Sequence, residues 1–215
     1  MEHITHNDAM RAPLMPCAAL LACLLLAGCL GGPPAPIGDA RRRPTALRFG
    51  MYVTPEPEHN PIDPPERFTG YHAGLDYEVF AAEIDADVPI YAICGGSVLH
   101  SGYANGYGNV VIQRCQLRGD MVTVLYGHLD DDELPPDGTV LMSGDRIGVL
   151  AAPRSDGSAG NRKHLHLGIH RGEEIEYRGY VDSASELEEF IDPAAMLPRR
   201  ATGRPVEEFH VPPLP

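Results

Sequence analysis

Positive charge is scarce in this chain of 215 residues: 17 Lys and Arg stand against 30 Asp and Glu, a formal net charge of −13. Phosphate backbones are held by basic surfaces, so nucleic acid is excluded as a partner. Long hydrophobic runs are also missing. The uncharged stretch from Ala12 to Ile37 holds an apolar block shorter than the about 20 residues a membrane-spanning helix needs. Tryptophan is absent, and no internal repeat divides the chain. There is no His-Glu-x-x-His sequence and no cysteine pair at zinc-binding spacing. Two familiar ways of holding zinc are thereby removed.

The short apolar block, "CAALLACLLLAGCLGG", ends in small residues, as a secretory signal does. Its Leu26-Ala27-Gly28-Cys29 resembles a bacterial lipobox, which implies lipid on Cys29 after removal of residues 1–28 and attachment to a membrane facing the periplasm or cell wall. An ordinary signal cleaved nearby is the plainer alternative. "MEHITHNDAM" is acidic where a basic segment is expected, and Met10 before Arg11 makes a better start than Met1. Export leaves Cys94 and Cys115 in an oxidising compartment, where such a pair forms a disulfide or stays as two buried thiols.

Residues 29–46, rich in Pro and Gly, read as a tether. From 47 to 197 strand signals dominate: "LRFGMYV", "LDYEVFAA", "VPIYAIC", "GSVLHSGY", "NVVIQRC" and "MVTVLYGHL" are rich in β-branched and aromatic residues and bounded by turn formers. "DGTVLMSGDRIGVL" gives two short strands, and "KHLHLGIH" with "EIEYRGYV" predicts a hairpin across Arg171-Gly172. Only "SASELEEF" looks helical; Ser183 with Glu186 and Ser185 with Glu188 both fit a capping box. The tail, 198–215, lacks periodicity. The expectation is a mostly β domain, an antiparallel sandwich or open barrel with one short C-terminal helix.

In a strand, residues two apart point the same way, so His164 and His166 share a face. Alone, such a pair is also what a solvated strand face looks like. His72 and Asp76 stand at His-x-x-x-Asp spacing, which covers about 13 Å in a straight strand and allows a shared ligand only if the chain bends at Ala73-Gly74. His128 closes an apolar strand, on the same face as Tyr126 by alternation. Two imidazoles and one carboxylate on zinc leave a fourth position for water, the catalytic arrangement.

His-x-x-x-Asp, then Tyr-Gly-His-Leu, then His-Leu-His, in this order over about a hundred residues, resembles the lysostaphin-type (LytM) zinc endopeptidases of bacterial cell walls. "VPIYAICGGSVLHSGYANGYGNVVI", "SGDRIGVL" and "IDPAAML" resemble further parts of that family. The resemblance implies a β-rich fold with the duplicated hybrid motif of glucose-permease-type domains. It implies one zinc ion on His72, Asp76 and His166, with His128 and His164 as catalytic histidines, one the base and the other a hydrogen-bond donor to the oxyanion. The implied substrate is a peptide cross-link between peptidoglycan stem peptides. His59, His100 and His170 match no motif position. The stretch "LAAPRSDGSAGNRKHLHL" departs from the Gly-Pro that many relatives carry before His-Leu-His, which bears on substrate preference. The rival reading is a LytM-like module that lacks catalysis and binds another wall hydrolase as its regulator. The presence of all five residues favours the enzyme.

Overall fold

Alternation of β-branched and aromatic residues over 96–129 builds the longest strands among the described residues. The computed structural model describes residues 34–65 and 67–196. Residues 1–28, read from the sequence as a secretory signal, together with Cys29 and the 198–215 tail, lie outside the described residues. Strands β5 (Gly96–Ala104), β6 (Gly108–Leu117) and β7 (Asp120–Leu129) form a meander. They are joined by β3 (Gly74–Glu78), β8 (Val140–Leu141) and β10 (His164–Arg171) in an antiparallel six-stranded sheet, order β3-β10-β7-β6-β5-β8. A smaller sheet has the order β1-β2-β11, from Tyr52–Val53, Gly70–His72 and Tyr180–Val181. Strands β4 (Pro89–Tyr91) and β9 (Arg146–Val149) pair separately. Among the described residues the sheets do not close into a barrel.

Period-two alternation gives the large sheet two unlike faces. Leu165, Leu167 and Ile169 of β10 are fully buried in an apolar core with Leu75, Val111, Val124 and Tyr126. His164, His166, Gly168 and His170 lie on the opposite face. Register puts Asp76 of β3 and Gly127 of β7 beside His166 on that face. Beneath the apolar side, the Tyr126 hydroxyl accepts from the Ile93 amide at 2.9 Å and donates to Gln113 Oε1 at 3.3 Å. Gln113 Nε2 donates to the Cys94 carbonyl at 2.9 Å. Cys94 and Cys115 are joined in a disulfide with a Cα–Cα separation of 6.1 Å.

Several expectations are corrected. The strand anticipated over 47–53 is reduced to β1. The hairpin across Arg171-Gly172 does not form; β11 instead pairs with β2, and Ile175 and Tyr177, whose alternation with glutamates predicts a strand, are left exposed rather than packed beside β10. Residues 34–46, read as part of a tether, pack on the domain. Ile37 is fully buried and bridges to Ile90, and Arg43 Nη1 and Nη2 bond Glu83 at 2.5 and 2.8 Å. The C-terminal region holds two helical turns rather than one helix, α1 (Ala184–Leu187) and α2 (Pro193–Met196). Ser183 caps α1, its Oγ accepting from the Glu186 amide at 3.2 Å, so the first of the two capping pairs is the one used. Pro193 opens α2, where its missing N–H has no cost.

Candidate metal centre

His72 is the last residue of β2 and Gly74 the first of β3, so the chain passes from the small sheet to the large one at Ala73. That crossing brings His72 and Asp76 together despite their spacing. Gly74 also has a steric role: a Cβ there would lie 2.6 Å from the His166 ring and 2.8 Å from the Leu167 carbonyl. His128 depends on a second irregularity. The β6–β7 register shifts between Asn109 and Val110, and His128 adopts φ +66°. This bulge breaks the alternation, so Tyr126 faces the core while the His128 ring lies 4.3 Å from that of His164. The expectation that Tyr126 and His128 share a face is therefore wrong.

Three ligand atoms converge. His72 Nε2 and His166 Nδ1 are 3.1 Å apart, His72 Nε2 and Asp76 Oδ1 3.2 Å, and His166 Nδ1 and Asp76 Oδ1 3.0 Å. All three side chains are buried. Tetrahedral ligands about 2.0–2.1 Å from a zinc ion stand roughly 3.3 Å apart, so the triangle fits such an ion. Nδ1 of His72 donates to the Arg48 carbonyl at 3.3 Å, which leaves Nε2 as a lone pair aimed at the other two. Burial resists ionisation of Asp76, but His164 and His72 outweigh it and hold the carboxyl well below its usual range. Burial lowers His166 to about 4, despite Asp76, so this imidazole is neutral at pH 7, as a metal ligand must be.

His128 and His164 flank the trio and line, with Phe68, Tyr177 and Tyr180, a cleft of about 190 Å³. Burial, with the neighbouring His164 and His166 adding to it, holds His128 well below its ordinary value, and its Nδ1 is buried without a partner. His164 Nδ1 donates to the Arg162 carbonyl at 3.0 Å, which turns Nε2 toward Asp76 Oδ2 at 3.3 Å. Burial and Arg162 work against charge on His164; Asp76 outweighs them and raises its pKa.

A model of peptidase family M23 matches residues 70–177, from β2 past the end of β10, and so includes all five of these residues. The chain belongs to peptidase family M23. No curated protein matches the sequence. Among solved structures, this M23 domain is similar to Csd3 of Helicobacter pylori, with 18% identity over 79% of this chain and 36% of that one and a TM-score of 0.48. It is similar to the antimicrobial peptidase lysostaphin from Staphylococcus simulans (18% identity, 76% and 56% coverage, TM-score 0.44). A third similar structure is the SpoIIQ–SpoIIIAH pore-forming complex (16% identity, 78% and 91% coverage, TM-score 0.49). The chain spans about a third of the length of Csd3.

The remaining histidines among the described residues stand apart from the trio. His170 Nε2 lies 4.0 Å from Glu176 Oε2, the His100 ring meets that of Tyr177, and His59 sits by Glu56. Two further residues of the centre, Tyr107 and Arg162, lie in quoted stretches of the sequence without a role assigned to them there. Tyr107 packs its ring 5.2 Å from His166 and 5.7 Å from His128. Arg162 Nη2 donates to Asp76 Oδ2 at 2.7 Å. The positive charge just before His-Leu-His was the available clue to Arg162, and it was visible only as a departure from the familiar Gly-Pro. Among the described residues no helix is long and apolar enough to cross a membrane.

Proposed function

We propose that the chain is a zinc-dependent endopeptidase that hydrolyses peptide cross-links between peptidoglycan stem peptides, exported and held in the bacterial envelope by a lipid on Cys29. The observation that carries this reading is the buried triangle of His72 Nε2, Asp76 Oδ1 and His166 Nδ1, with edges of 3.0–3.2 Å, beside two further imidazoles that line the same cleft. Zinc bound there supplies Lewis acidity, which brings the pKa of water toward about 7 and polarises a carbonyl.

The chain's own residues do the rest. His72, Asp76 and His166 would hold the ion. The attacking water has to lose a proton, and the two histidines outside the ligand trio are placed to handle it. One of His128 and His164 takes that proton, and the other donates a hydrogen bond to the oxyanion that develops on the scissile carbonyl. The aromatic lining of Phe68, Tyr177 and Tyr180 suits an extended peptide chain.

Two substitutions separate holding the metal from using it. His166→Ala should abolish stoichiometric zinc, measured by atomic absorption. His128→Ala should keep zinc while release of cleaved muropeptides from isolated peptidoglycan, followed by mass spectrometry with and without chelator, falls at least a hundredfold. A wild-type protein that binds no zinc and releases nothing would leave only the binding-module reading. A metal-free His128→Ala protein would overturn the division of roles.

A further inference from the structure

We infer that Arg162 is a positioning residue for the metal: its guanidinium fixes Asp76 so that one carboxylate oxygen alone is presented to the ion. This rests on the zinc reading and concerns how that site is set. Arg162 Nη2 donates to Asp76 Oδ2 at 2.7 Å, and Oδ1 is the oxygen that belongs to the ligand triangle. The same guanidinium forks onto Glu78, with Nε 3.1 and 3.0 Å from Oε1 and Oε2, and Nη2 2.8 Å from Oε1. Glu78 lies two residues beyond Asp76 on β3, so both carboxylates point to the same side of the strand. The Arg162 carbonyl accepts from His164 Nδ1, so one residue orients a metal ligand with its side chain and a catalytic histidine with its backbone.

The physical case lies in what a carboxylate does when its second oxygen is free. It swings between one-oxygen and two-oxygen binding, and the second mode would occupy the side of the ion that faces the cleft. The guanidinium, the shorter of two contacts on Oδ2 (His164 Nε2 lies 3.3 Å from the same oxygen), closes that option. A cation next to a divalent ion is repelled by it, and Glu78 offsets the repulsion. Asp76, Glu78 and Arg162 together carry a net charge of −1, the same as Asp76 alone. The ion therefore meets an unchanged charge with a fixed geometry. Arg is suited to this because its planar fork holds two carboxylates at once, which a lysine ammonium cannot do with the same geometry.

A purely electrostatic role and a positioning role predict opposite outcomes. Arg162→Gln removes a positive charge beside the ion; if charge were all that mattered, zinc would bind more tightly. Positioning predicts that zinc binds about 10–100-fold more weakly, the usual cost of losing an outer partner of a ligand. Arg162→Lys keeps the charge and loses the fork, so electrostatics predicts no change and positioning predicts a loss nearly as large. The measurement is the zinc dissociation constant of the full-length protein, by competition with a chromophoric chelator, for wild type and both variants. Visible absorption of the cobalt(II)-substituted proteins supplies a second readout. Four-coordinate cobalt absorbs strongly, and the band should weaken in both variants as Asp76 adds its second oxygen. Unchanged or tighter zinc binding with an unchanged cobalt spectrum in Arg162→Lys overturns the inference. Failure of the zinc reading itself would show instead as a wild-type protein that binds no zinc.

Discussion

At the scale of single residues, the centre depends on side chains that are absent as much as on those present. Gly74 lets the His166 ring lie against the β3 backbone, at a place where a methyl group would lie 2.6 Å from the imidazole. Gly74→Ala should therefore displace the ring from the ligand triangle. The expected result is at least tenfold weaker zinc binding by chelator competition, with the far-ultraviolet circular dichroism of the folded domain retained. Zinc binding equal to wild type would show that the ring has room to move aside. The sequence required a bend at Ala73-Gly74 for His72 and Asp76 to meet, and the chain changes sheets at Ala73. Its second role, as clearance for a residue 92 positions later, is a tertiary contact that no local pattern encodes.

At the scale of elements, the strands carrying the site were legible because their chemistry is local and periodic. "KHLHLGIH" alternates imidazole and aliphatic residues, and β10 divides them between the polar and apolar faces as that pattern requires. The bulge at His128 was not legible, since a positive φ at a histidine leaves no mark in the sequence. Nor was the docking of residues 34–46, which relies on isolated anchors, Ile37 and Arg43, set among Pro and Gly without a repeat. The Arg43–Glu83 pair gives that docking a pH signature. The hydrogen bond from Arg43 lowers the Glu83 pKa from its ordinary value of 4.5, with burial opposing. A carboxylate depressed in the folded state contributes stability above its unfolded pKa and loses it as pH falls through the folded value. Glu83→Gln should lower stability by about 1–2 kcal/mol at pH 7. The difference in Tm from wild type should shrink below about pH 4.5 and vanish at lower pH. A difference that stays constant from pH 7 to 3 would show that the pair contributes nothing ionic.

At the scale of the whole molecule, the three ligands do not come from one sheet. His72 belongs to the small sheet, while Asp76 and His166 sit side by side in the large one. An ion held by all three thus acts as a rivet across the seam between two hydrogen-bonded layers whose backbone ladders are separate. Stripping it should loosen one layer and spare the other. Amide hydrogen exchange at Tyr71 and Val181 should quicken when chelator is added, while Val111 and Val124, deep in the six-stranded layer, keep their protection. Equal change in both layers would mean that the seam is closed by side-chain packing alone. If the rivet holds, loss of metal in the cell would cost the protein mechanical integrity beside its cleft as well as its chemistry, and a protease meeting the stripped form would find the outer strands first.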